Sequence, residues 1–309
     1  MALKQISETV TEETAGRTDA FVRRVCETSH SQSRGLIDRG CVWIDGELCC
    51  ESARSLEPGN CVEVRFDPTQ RYREKKERRW DDRTFTVAYE DDHVIVVDKA
   101  AGTLTVPTDR GDRNTLVDRV SIYLSHSRSE REACLVHRLD RDVSGLLIFG
   151  KHLAVAELLI EQFKQQKPER IYSAIVAGEL SDDEGTFRTH LATGNNLERY
   201  VTAPSKHSEE AITHYRVLKR MEDATYVEVS LPTGKRNQIR VQFAHAKHPI
   251  LGDRKYEPKR AVHPRWIRRR IALHAKSLSF HHPVTGEMKT VESPLPAAME
   301  KFLRGGKKR

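Results

Sequence analysis

The chain of 309 residues is 31% charged and 38% hydrophobic, and its 52 Lys and Arg outnumber its 45 Asp and Glu to give a formal charge of +7. This length fits one large domain with a smaller one, and the apolar fraction suffices for a packed core, which excludes a disordered chain. The surplus of positive charge would attract a polyanion, although it is equally compatible with a role in solubility alone.

The distribution of cysteines argues against a disulfide framework and against a zinc site. Five of the six lie between Cys26 and Cys61, and the sixth is Cys134. The sequence has no C-x-x-C pair and no histidine at the spacing of a zinc ligand. The first twenty residues lack an apolar signal segment, and no stretch approaches the ~20 apolar residues that span a bilayer. We expect a soluble cytoplasmic protein with reduced thiols and no bound metal.

The first part of the chain predicts a small module between two irregular segments. Residues 1–18 are polar and lack periodicity, which predicts a flexible tail. Residues 19–66 contain two short amphipathic helices and then alternating strands around Asp45-Gly46, a dipeptide that favours a tight hairpin. Residues 67–83 carry charges of both signs and almost no apolar side chain, so they are predicted to be a linker.

Residues 84–303 predict a larger domain that mixes helices and strands. The apolar runs at 93–99 and 145–150 predict buried strands, and apolar residues recur at helical spacing over 153–163. The elements do not alternate as regularly as in a doubly wound sheet, so an α+β fold is expected. Residues 304–309 are predicted to be a basic tail.

The run HRLDRD at 137–142 concentrates carboxylates and cations just before an apolar strand. Charge pattern alone favours a salt-bridged surface loop. The longer stretch HRLDRDVSGLLIFGK, however, resembles the signature H-R-L-D-x-x-T-S-G-L-L-x-x-A-K of the RluA-type pseudouridine synthases. Further matches to this family follow in order: YEDDHVIVVDKAAGTLTVP at 89–107, Tyr172 in ERIYSAIVAGEL, PTGKRNQIRVQFAHAKHPILGDRKY at 232–256, and the L-H-A that begins at Leu273.

The resemblance implies a pseudouridine-synthase fold, with a mixed, largely antiparallel sheet, flanking helices and a central cleft. It also implies the isomerisation of uridine to pseudouridine in structured RNA, with base flipping and without a cofactor. Asp140 matches the catalytic aspartate, which is expected to act as a covalent nucleophile. Whether its carboxylate attacks the sugar, attacks the base or removes a ribose proton is left open.

Five further residues receive roles from the same alignment. Arg240 is expected to pair with Asp140, because an anion in a pocket that excludes water needs a cation beside it. Tyr172 is expected to stack on the target uracil and to take part in moving the C5 proton. Arg138 is expected to enter the space that the flipped nucleotide leaves. The remaining predicted substrate-binding residues are His137, which is expected chiefly to position the loop, and Leu273.

Residues 18–66 resemble the αL RNA-binding module first known from ribosomal small-subunit protein four. Arg23 and Arg24 fall on its first predicted helix, and Arg34 and Arg39 on the second. Clustered arginines beside a hairpin suit phosphate contacts, which predicts RNA binding, whereas the alternative is an ordinary solvated helix face.

The chain departs from the family pattern at three places. KRN at 235–237 stands where the family usually has Arg-Thr-His, Val143 replaces a threonine, and Ala100-Ala101 replaces a proline-containing turn. We expect none of these changes to touch the nucleophile, the stacking tyrosine or the paired arginine. They are therefore expected to affect substrate choice and rate rather than the reaction.

The expected substrate is ribosomal RNA, most simply that of the large subunit, and transfer RNA stays open. A monomer is the default expectation. One alternative function is a non-catalytic RNA-binding or ribosome-assembly factor that keeps the fold. Another is a carboxylate-dependent hydrolase acting on a sugar or nucleoside, which is disfavoured because Asp140 is one matched aspartate without an identifiable partner acid.

Overall fold

A computed structural model describes residues 4–70, 72, 82–108, 111–125, 132–165, 168–194, 198–266 and 270–305. The chain divides into two compact units, Met1–Trp80 and Asp81–Arg309. None of the helices in the described part of the chain is long and apolar enough to cross a membrane.

The first unit packs two helices and short antiparallel strands around one core. Its elements are β1 (Lys4–Thr9), β2 (Gly16–Arg17), α1 (Thr18–Val25), α2 (His30–Asp38), β3 (Val42–Ile44), β4 (Glu47–Leu48), β5 (Ser55–Leu56) and β6 (Cys61–Phe66). The main sheet has the order β1-β6-β3-β4. The predicted hairpin is confirmed, because Asp45 and Gly46 join β3 to β4 with φ of 52° and 83°.

The flexible tail predicted for residues 1–18 is wrong. Strand β1 pairs with β6 along its whole length, from Lys4 opposite Phe66 to Thr9 opposite Cys61, and the following Val10 is buried in the core. None of the β1 side chains is buried. A polar edge strand has no apolar alternation, so only its partner strand reveals it.

The predicted linker also begins too early. Tyr72 is buried and meets the ring of Phe66 edge-on at 6.2 Å, and its hydroxyl accepts a hydrogen bond from the backbone N–H of Asp67. The chain therefore continues the first core beyond β6. Most of the rest of the predicted linker, at 71 and 73–81, lies outside the described residues, as do residues 306–309 of the predicted basic tail.

The second unit is built on one large mixed sheet. Its strands are β7 (Phe85–Glu90), β8 (Val94–Lys99), β9 (Cys134–Leu135), β10 (Ser144–Gly150), β11 (Glu169–Ala177), β12 (Glu184–Thr193), β13 (Arg199–Thr202), β14 (Glu209–Met221), β15 (Ala224–Ser230), β16 (Leu273–His281) and β17 (Met288–Glu292). Its helices are α3 (Leu116–Ser125), α4 (Leu153–Lys164), α5 (Gln238–His245) and α6 (Ala297–Arg304).

The sheet has the order β13-β12-β14-β15-β11-β16-β10-β8-β7, and β17 and β9 pair with β16 and β10. Neighbours are antiparallel except β10 and β16, which form the parallel pair among the described strands. The α+β class with a mixed, largely antiparallel sheet is thus confirmed. Helix α4 covers one region of the sheet with Val155 and Leu159, and α5 covers another with Val241 and Ala244.

Gly145 permits the close approach of the two central strands. Its φ is +115°, and a Cβ atom there would lie 2.3 Å from the carbonyl oxygen of Ala275 on β16. Any side chain would therefore clash with backbone. The contact brings the loop that precedes β10, and with it Asp140, beside the beginning of β16.

Candidate active site

A small cavity of about 70 Å³ lies where the loop before β10 meets β11, β16 and α5. Two other cavities of the second unit are larger, at about 640 and 400 Å³, so size does not single out this one. What distinguishes it is its lining, which includes five of the residues predicted from sequence: Arg138, Asp140, Tyr172, Arg240 and Leu273.

Hydrogen bonds from the end of β8 and the segment after it hold the backbone of the loop that carries Asp140. The Thr105 hydroxyl donates to the carbonyl of Leu139 at 2.7 Å, and the amide of Gly102 donates to the carbonyl of Arg141 at 2.8 Å. The Lys99 ammonium, fully buried, donates to three carbonyls at 2.9–3.0 Å, including that of Arg141. Burial lowers the pKa of Lys99 to about 7, although the nearby carboxylates oppose this shift. The carboxylate is therefore presented on an anchored loop.

The predicted ion pair between Asp140 and Arg240 is present. Nη1 of Arg240 donates to Oδ2 of Asp140 at 2.7 Å. On its other side the same guanidinium forms two hydrogen bonds with Asp253, Nε to Oδ2 at 2.7 Å and Nη2 to Oδ1 at 2.9 Å. The Asp253 side chain is fully buried and also accepts the amide N–H groups of Lys255 and Tyr256. Asp253 thus fixes the plane of the arginine that faces Asp140.

Arg240 lies between two carboxylates in a largely buried place. Burial works against its charged form, but the hydrogen bonds to Asp253 and the charge of Asp140 outweigh burial and raise the pKa of the guanidinium. A lysine could supply the charge but not the planar fork that meets both carboxylates.

The expectation that the KRN departure touches none of the predicted catalytic residues is wrong. Asn237 Nδ2 donates to Oδ2 of Asp140 at 2.5 Å, and the Asn237 side-chain oxygen accepts from the Tyr256 hydroxyl at 3.2 Å. Val143 also lines the cavity, and its amide donates to the backbone carbonyl of Asp140 at 3.2 Å. Spacing along the chain gave no sign of the contact between Asn237 and Asp140, because it depends on how the turn before α5 folds back.

Gln238 explains why that turn folds back. This residue is 2% exposed, and its side-chain oxygen accepts from the amide of Lys235 at 2.9 Å and from the Thr233 hydroxyl at 3.0 Å. Its side-chain nitrogen donates to the Ile212 carbonyl and the Thr213 hydroxyl on β14, each at 2.9 Å. The glutamine of the Q-I-R element therefore pins the turn to the sheet, one residue after Asn237.

Tyr172 lies on β11 and is largely buried in the cavity wall. Burial raises the pKa of its hydroxyl, the charge of Asp140 adds to this effect and that of Arg170 opposes it. The tyrosine is therefore neutral near pH 7. Its hydroxyl forms no hydrogen bond with any of the described residues, so a bound nucleotide could supply the partner.

The other predicted substrate-binding residues are placed differently from one another. Arg138 is exposed at the edge of the cavity, and Leu273 is a buried part of its wall. His137 does not line the cavity. Its ring stacks on Phe163 of α4 with centroids 4.6 Å apart, and Nε2 accepts from the Ile148 amide at 3.3 Å. Burial lowers the pKa of His137 to about 3, so the ring is neutral, and its position agrees with the expected loop-positioning role.

A second polar cluster lies where β8, β10 and β16 meet. The Ser144 hydroxyl is 3.0 Å from Nδ1 of His274, and Nε2 of that ring is 3.1 Å from the Ser293 hydroxyl, which donates to Asp98 at 2.5 Å. Nη2 of Arg270 donates to the Ser144 hydroxyl at 3.0 Å. Burial lowers the pKa of His274, and one neutral tautomer, protonated on Nε2, satisfies the whole series of hydrogen bonds.

In the first unit the predicted RNA-binding arginines fall into three situations. Arg23 and Arg24 are exposed and line a concavity of about 620 Å³. Arg34 lies 3.5 Å from the buried carboxylate of Asp19. Arg39 is exposed at the end of α2. Arg23 and Arg24 thus share one concave surface, and Asp19, which Arg34 approaches, also lines it.

Three comparisons identify the class of protein. Residues 93–245 match the sequence profile of a family described as RNA pseudouridylate synthase. The chain is 32% identical over 287 residues to ribosomal large subunit pseudouridine synthase D of Pseudomonas aeruginosa, over 89% of this chain and 86% of the relative. It is 31% identical over 311 residues to the uncharacterized RNA pseudouridine synthase YlyB of Bacillus subtilis, over 99% of each chain.

A solved structure agrees with the fold. Human RNA pseudouridylate synthase domain containing 4 superimposes with a TM-score of 0.60 at 21% identity, over 71% of this chain and 91% of that chain. The predicted pseudouridine-synthase fold and the resemblance to the RluA-type enzymes are therefore confirmed. This chain belongs to the RNA pseudouridylate synthase family, and it isomerises uridine to pseudouridine in RNA.

Proposed function

We propose that Asp140 is the catalytic carboxylate of this isomerisation and that the substrate is ribosomal RNA of the large subunit. The observation that carries the first part is the arrangement at the cavity. Asp140 meets Arg240 at 2.7 Å and shares the cavity lining with Tyr172. The reaction requires a positioned carboxylate that acts on the ribose–base unit and an aromatic ring that stacks on the base, and this arrangement provides both.

The reaction conserves every atom of the nucleotide. The bond from ribose C1′ to uracil N1 breaks, the base turns, and a new bond forms from C1′ to C5. The proton on C5 is lost and N1 gains one, so neither an oxidant nor an external group is consumed. The Asp140 carboxylate serves as nucleophile, so the bond that it forms with the nucleotide must break again before pseudouridine leaves. Tyr172 stacks on the uracil with its hydroxyl near the C5 proton.

The nucleotide must leave its stack to reach Asp140. The cavity, at about 70 Å³, is far smaller than the ~300 Å³ of a typical enclosed ligand site, so it must widen as the base enters. Extruding a base costs a few kcal/mol. Arg138, exposed at the cavity edge, offsets this cost by stacking in the vacated space and meeting phosphate.

Similarity to relatives supports the RNA class. Curated relatives from Pseudomonas aeruginosa and Xanthomonas campestris are named ribosomal large subunit pseudouridine synthase D, and the chain covers 86% and 84% of their lengths. Residues 19–66 act as an αL-type RNA-binding module in this proposal. Arg23 and Arg24 contact phosphates from their shared concavity, and Arg34 on α2 and Arg39 directly after that helix contribute further positive charge. The enzyme works as a cytoplasmic monomer.

The test compares Asp140→Asn with Asp142→Asn, a matched change on the same loop. Asp142 is paired with the neighbouring Arg141 at 3.4 Å. Purified wild type and Asp142→Asn are expected to form pseudouridine in large-subunit ribosomal RNA without an added cofactor. Asp140→Asn is expected to form none while still binding the RNA.

Carbodiimide-adduct mapping of RNA from strains with and without the gene locates the modified uridine. Activity of the Asp140→Asn enzyme would refute the role of this carboxylate. A deletion strain that keeps every large-subunit pseudouridine and loses one from transfer RNA would refute the proposed RNA class alone.

A further inference from the structure

The two oxygens of the Asp140 carboxylate are not equivalent. Oδ2 accepts both hydrogen bonds, from Arg240 Nη1 at 2.7 Å and from Asn237 Nδ2 at 2.5 Å. Oδ1 accepts none from any of the described residues. Each carboxylate oxygen has two lone pairs. Both lone pairs of Oδ2 are therefore engaged, whereas both lone pairs of Oδ1 are available to the nucleotide.

One donor alone would not maintain this difference. The terminal torsion of aspartate is broad and roughly two-fold, so a carboxylate held by one hydrogen bond is able to turn and exchange its oxygens. Arg240 is held by Asp253 and approaches from α5, while Asn237 approaches from the turn before that helix. Two donors from separate directions select one orientation.

The direction of the Asn237 amide follows from its second partner. The Tyr256 hydroxyl accepts the amide N–H of Arg199 at 3.4 Å and donates to the Asn237 side-chain oxygen at 3.2 Å. A flipped amide would place its oxygen against the Asp140 carboxylate. Burial raises the pKa of Tyr256, so its hydroxyl keeps the proton that it donates. The Asn237 nitrogen is thereby directed to Asp140.

We propose that Asn237 is a positioning residue which, together with Arg240, holds Oδ2 of Asp140 and leaves Oδ1 as the oxygen that reacts with the nucleotide. The Tyr256 hydroxyl orients Asn237. This proposal rests on the proposed role of Asp140. The proposal assigns a function to position 237, where the family usually has histidine. At this position the asparagine amide takes the place of a titrating donor and keeps its proton at every physiological pH.

Any test must distinguish the effect of the Asn237 side chain from the effect of its backbone conformation. Its φ is 56°, a left-handed conformation that asparagine and glycine tolerate better than other residues. Asn237→Gly therefore removes the donor and keeps the backbone conformation. Asn114→Gly is the matched control, because Asn114 is exposed in the same unit with φ of 60°.

The experiment measures kcat and KM on a large-subunit RNA fragment. For Asn237→Gly, kcat is expected to fall roughly tenfold to a hundredfold, the loss given by one hydrogen bond to a charged group, with KM within about twofold. Asn114→Gly is expected to keep wild-type kcat. Tyr256→Phe, which retains the ring 5.1 Å from the Arg240 guanidinium, is expected to lose roughly threefold to tenfold.

The pH profile distinguishes positioning from a structural effect. Asn237→His is expected to recover part of the kcat lost by Asn237→Gly and to add an inflection near pH 6.5, where an imidazole titrates. A structure of the RNA complex is expected to place the nucleotide nearest Oδ1, with both donors on Oδ2.

The proposal is overturned if Asn237→Gly loses no more kcat than Asn114→Gly, if its loss is wholly in KM, or if the histidine variant keeps the wild-type pH profile. These results differ from a failure of the proposed function. That failure is an active Asp140→Asn enzyme, whereas an inactive Asp140→Asn enzyme with a fully active Asn237→Gly enzyme refutes the role of Asn237 alone.

Discussion

Two polar clusters among the described residues of the second unit are similar in chemistry, but only one of them contributes side chains to the lining of the candidate active-site cavity. The open cluster consists of Asp140, Asn237, Arg240, Asp253 and Tyr256. The closed cluster consists of Asp98, Ser144, Arg270, His274 and Ser293. In the open cluster the Asp140 side chain is 25% exposed and one of its oxygens accepts no hydrogen bond from the described residues. In the closed cluster His274 is 1% exposed and both ring nitrogens have partners.

This difference distinguishes a cluster that stabilises the fold from a cluster that is open to a substrate. Each cluster joins segments that are distant in the chain, and each combines a carboxylate with an arginine. His274, whose two ring nitrogens both have partners, stabilises the fold but has no hydrogen-bonding atom left for a substrate. Residue type therefore does not distinguish the two clusters, whereas the position of an anchored acid in the lining of a cavity does.

The largest effect is expected at the centre of the open cluster. Arg240→Met leaves the fully buried Asp253 side chain without its cation, which is expected to lower the free energy of unfolding by about 3–5 kcal/mol and to abolish activity. The double variant Arg240→Met/Asp253→Asn is expected to recover part of the stability and none of the activity. Urea unfolding and a pseudouridine assay measure the two effects. A single variant as stable as wild type would contradict the account.

A smaller effect, confined to stability, is expected in the closed cluster. Asp98→Asn replaces the charged acceptor of the Ser293 hydroxyl, which is expected to lower the free energy of unfolding by about 1–3 kcal/mol. The kcat of the folded variant is expected to stay within about twofold of wild type. A hundredfold loss of kcat at unchanged stability would show that this cluster also takes part in the chemistry.

The smallest effect is expected at His137, which shares a loop with Asp140 but stacks on Phe163 instead of lining the cavity. Its folded pKa is lowered to about 3 by burial, so between that value and the ordinary 6.5 the unfolded chain binds more protons and stability rises with pH. Stability is expected to fall between pH 7 and pH 5. In His137→Phe the fall should be smaller by about 1–2 kcal/mol, as measured by urea unfolding at both values.

His207→Phe is the control for this measurement, because His207 is exposed. Between pH 7 and pH 5, the free energy of unfolding of His207→Phe is expected to change by the same amount as that of the wild type. If His137→Phe also showed the wild-type difference, the histidine would not be buried in its neutral form, and its assignment to a positioning role would fail.

The sequence predicted the main parts of the site through resemblance rather than through residue pattern. Charge pattern alone favoured a surface loop for 137–142. The family alignment joined Asp140 to Arg240, which lies 100 positions further along the chain, and the 2.7 Å contact confirms that pairing. The alignment described Asn237 as a departure only. Its contact with Asp140 could not be predicted, because the turn that delivers it is held by Gln238 against a strand distant in sequence.

The sequence by itself determined the elements whose burial leaves a local pattern. The apolar runs at 93–99 and 145–150 became β8 and β10, the periodic segment at 153–163 became α4, and Asp45-Gly46 made its hairpin. Only the tertiary structure decided that the polar segment at Lys4–Thr9 is a strand and which oxygen of Asp140 is held. Local patterns record which side chains avoid water. Hydrogen-bond partners far apart in the chain are chosen by the packing that brings them together.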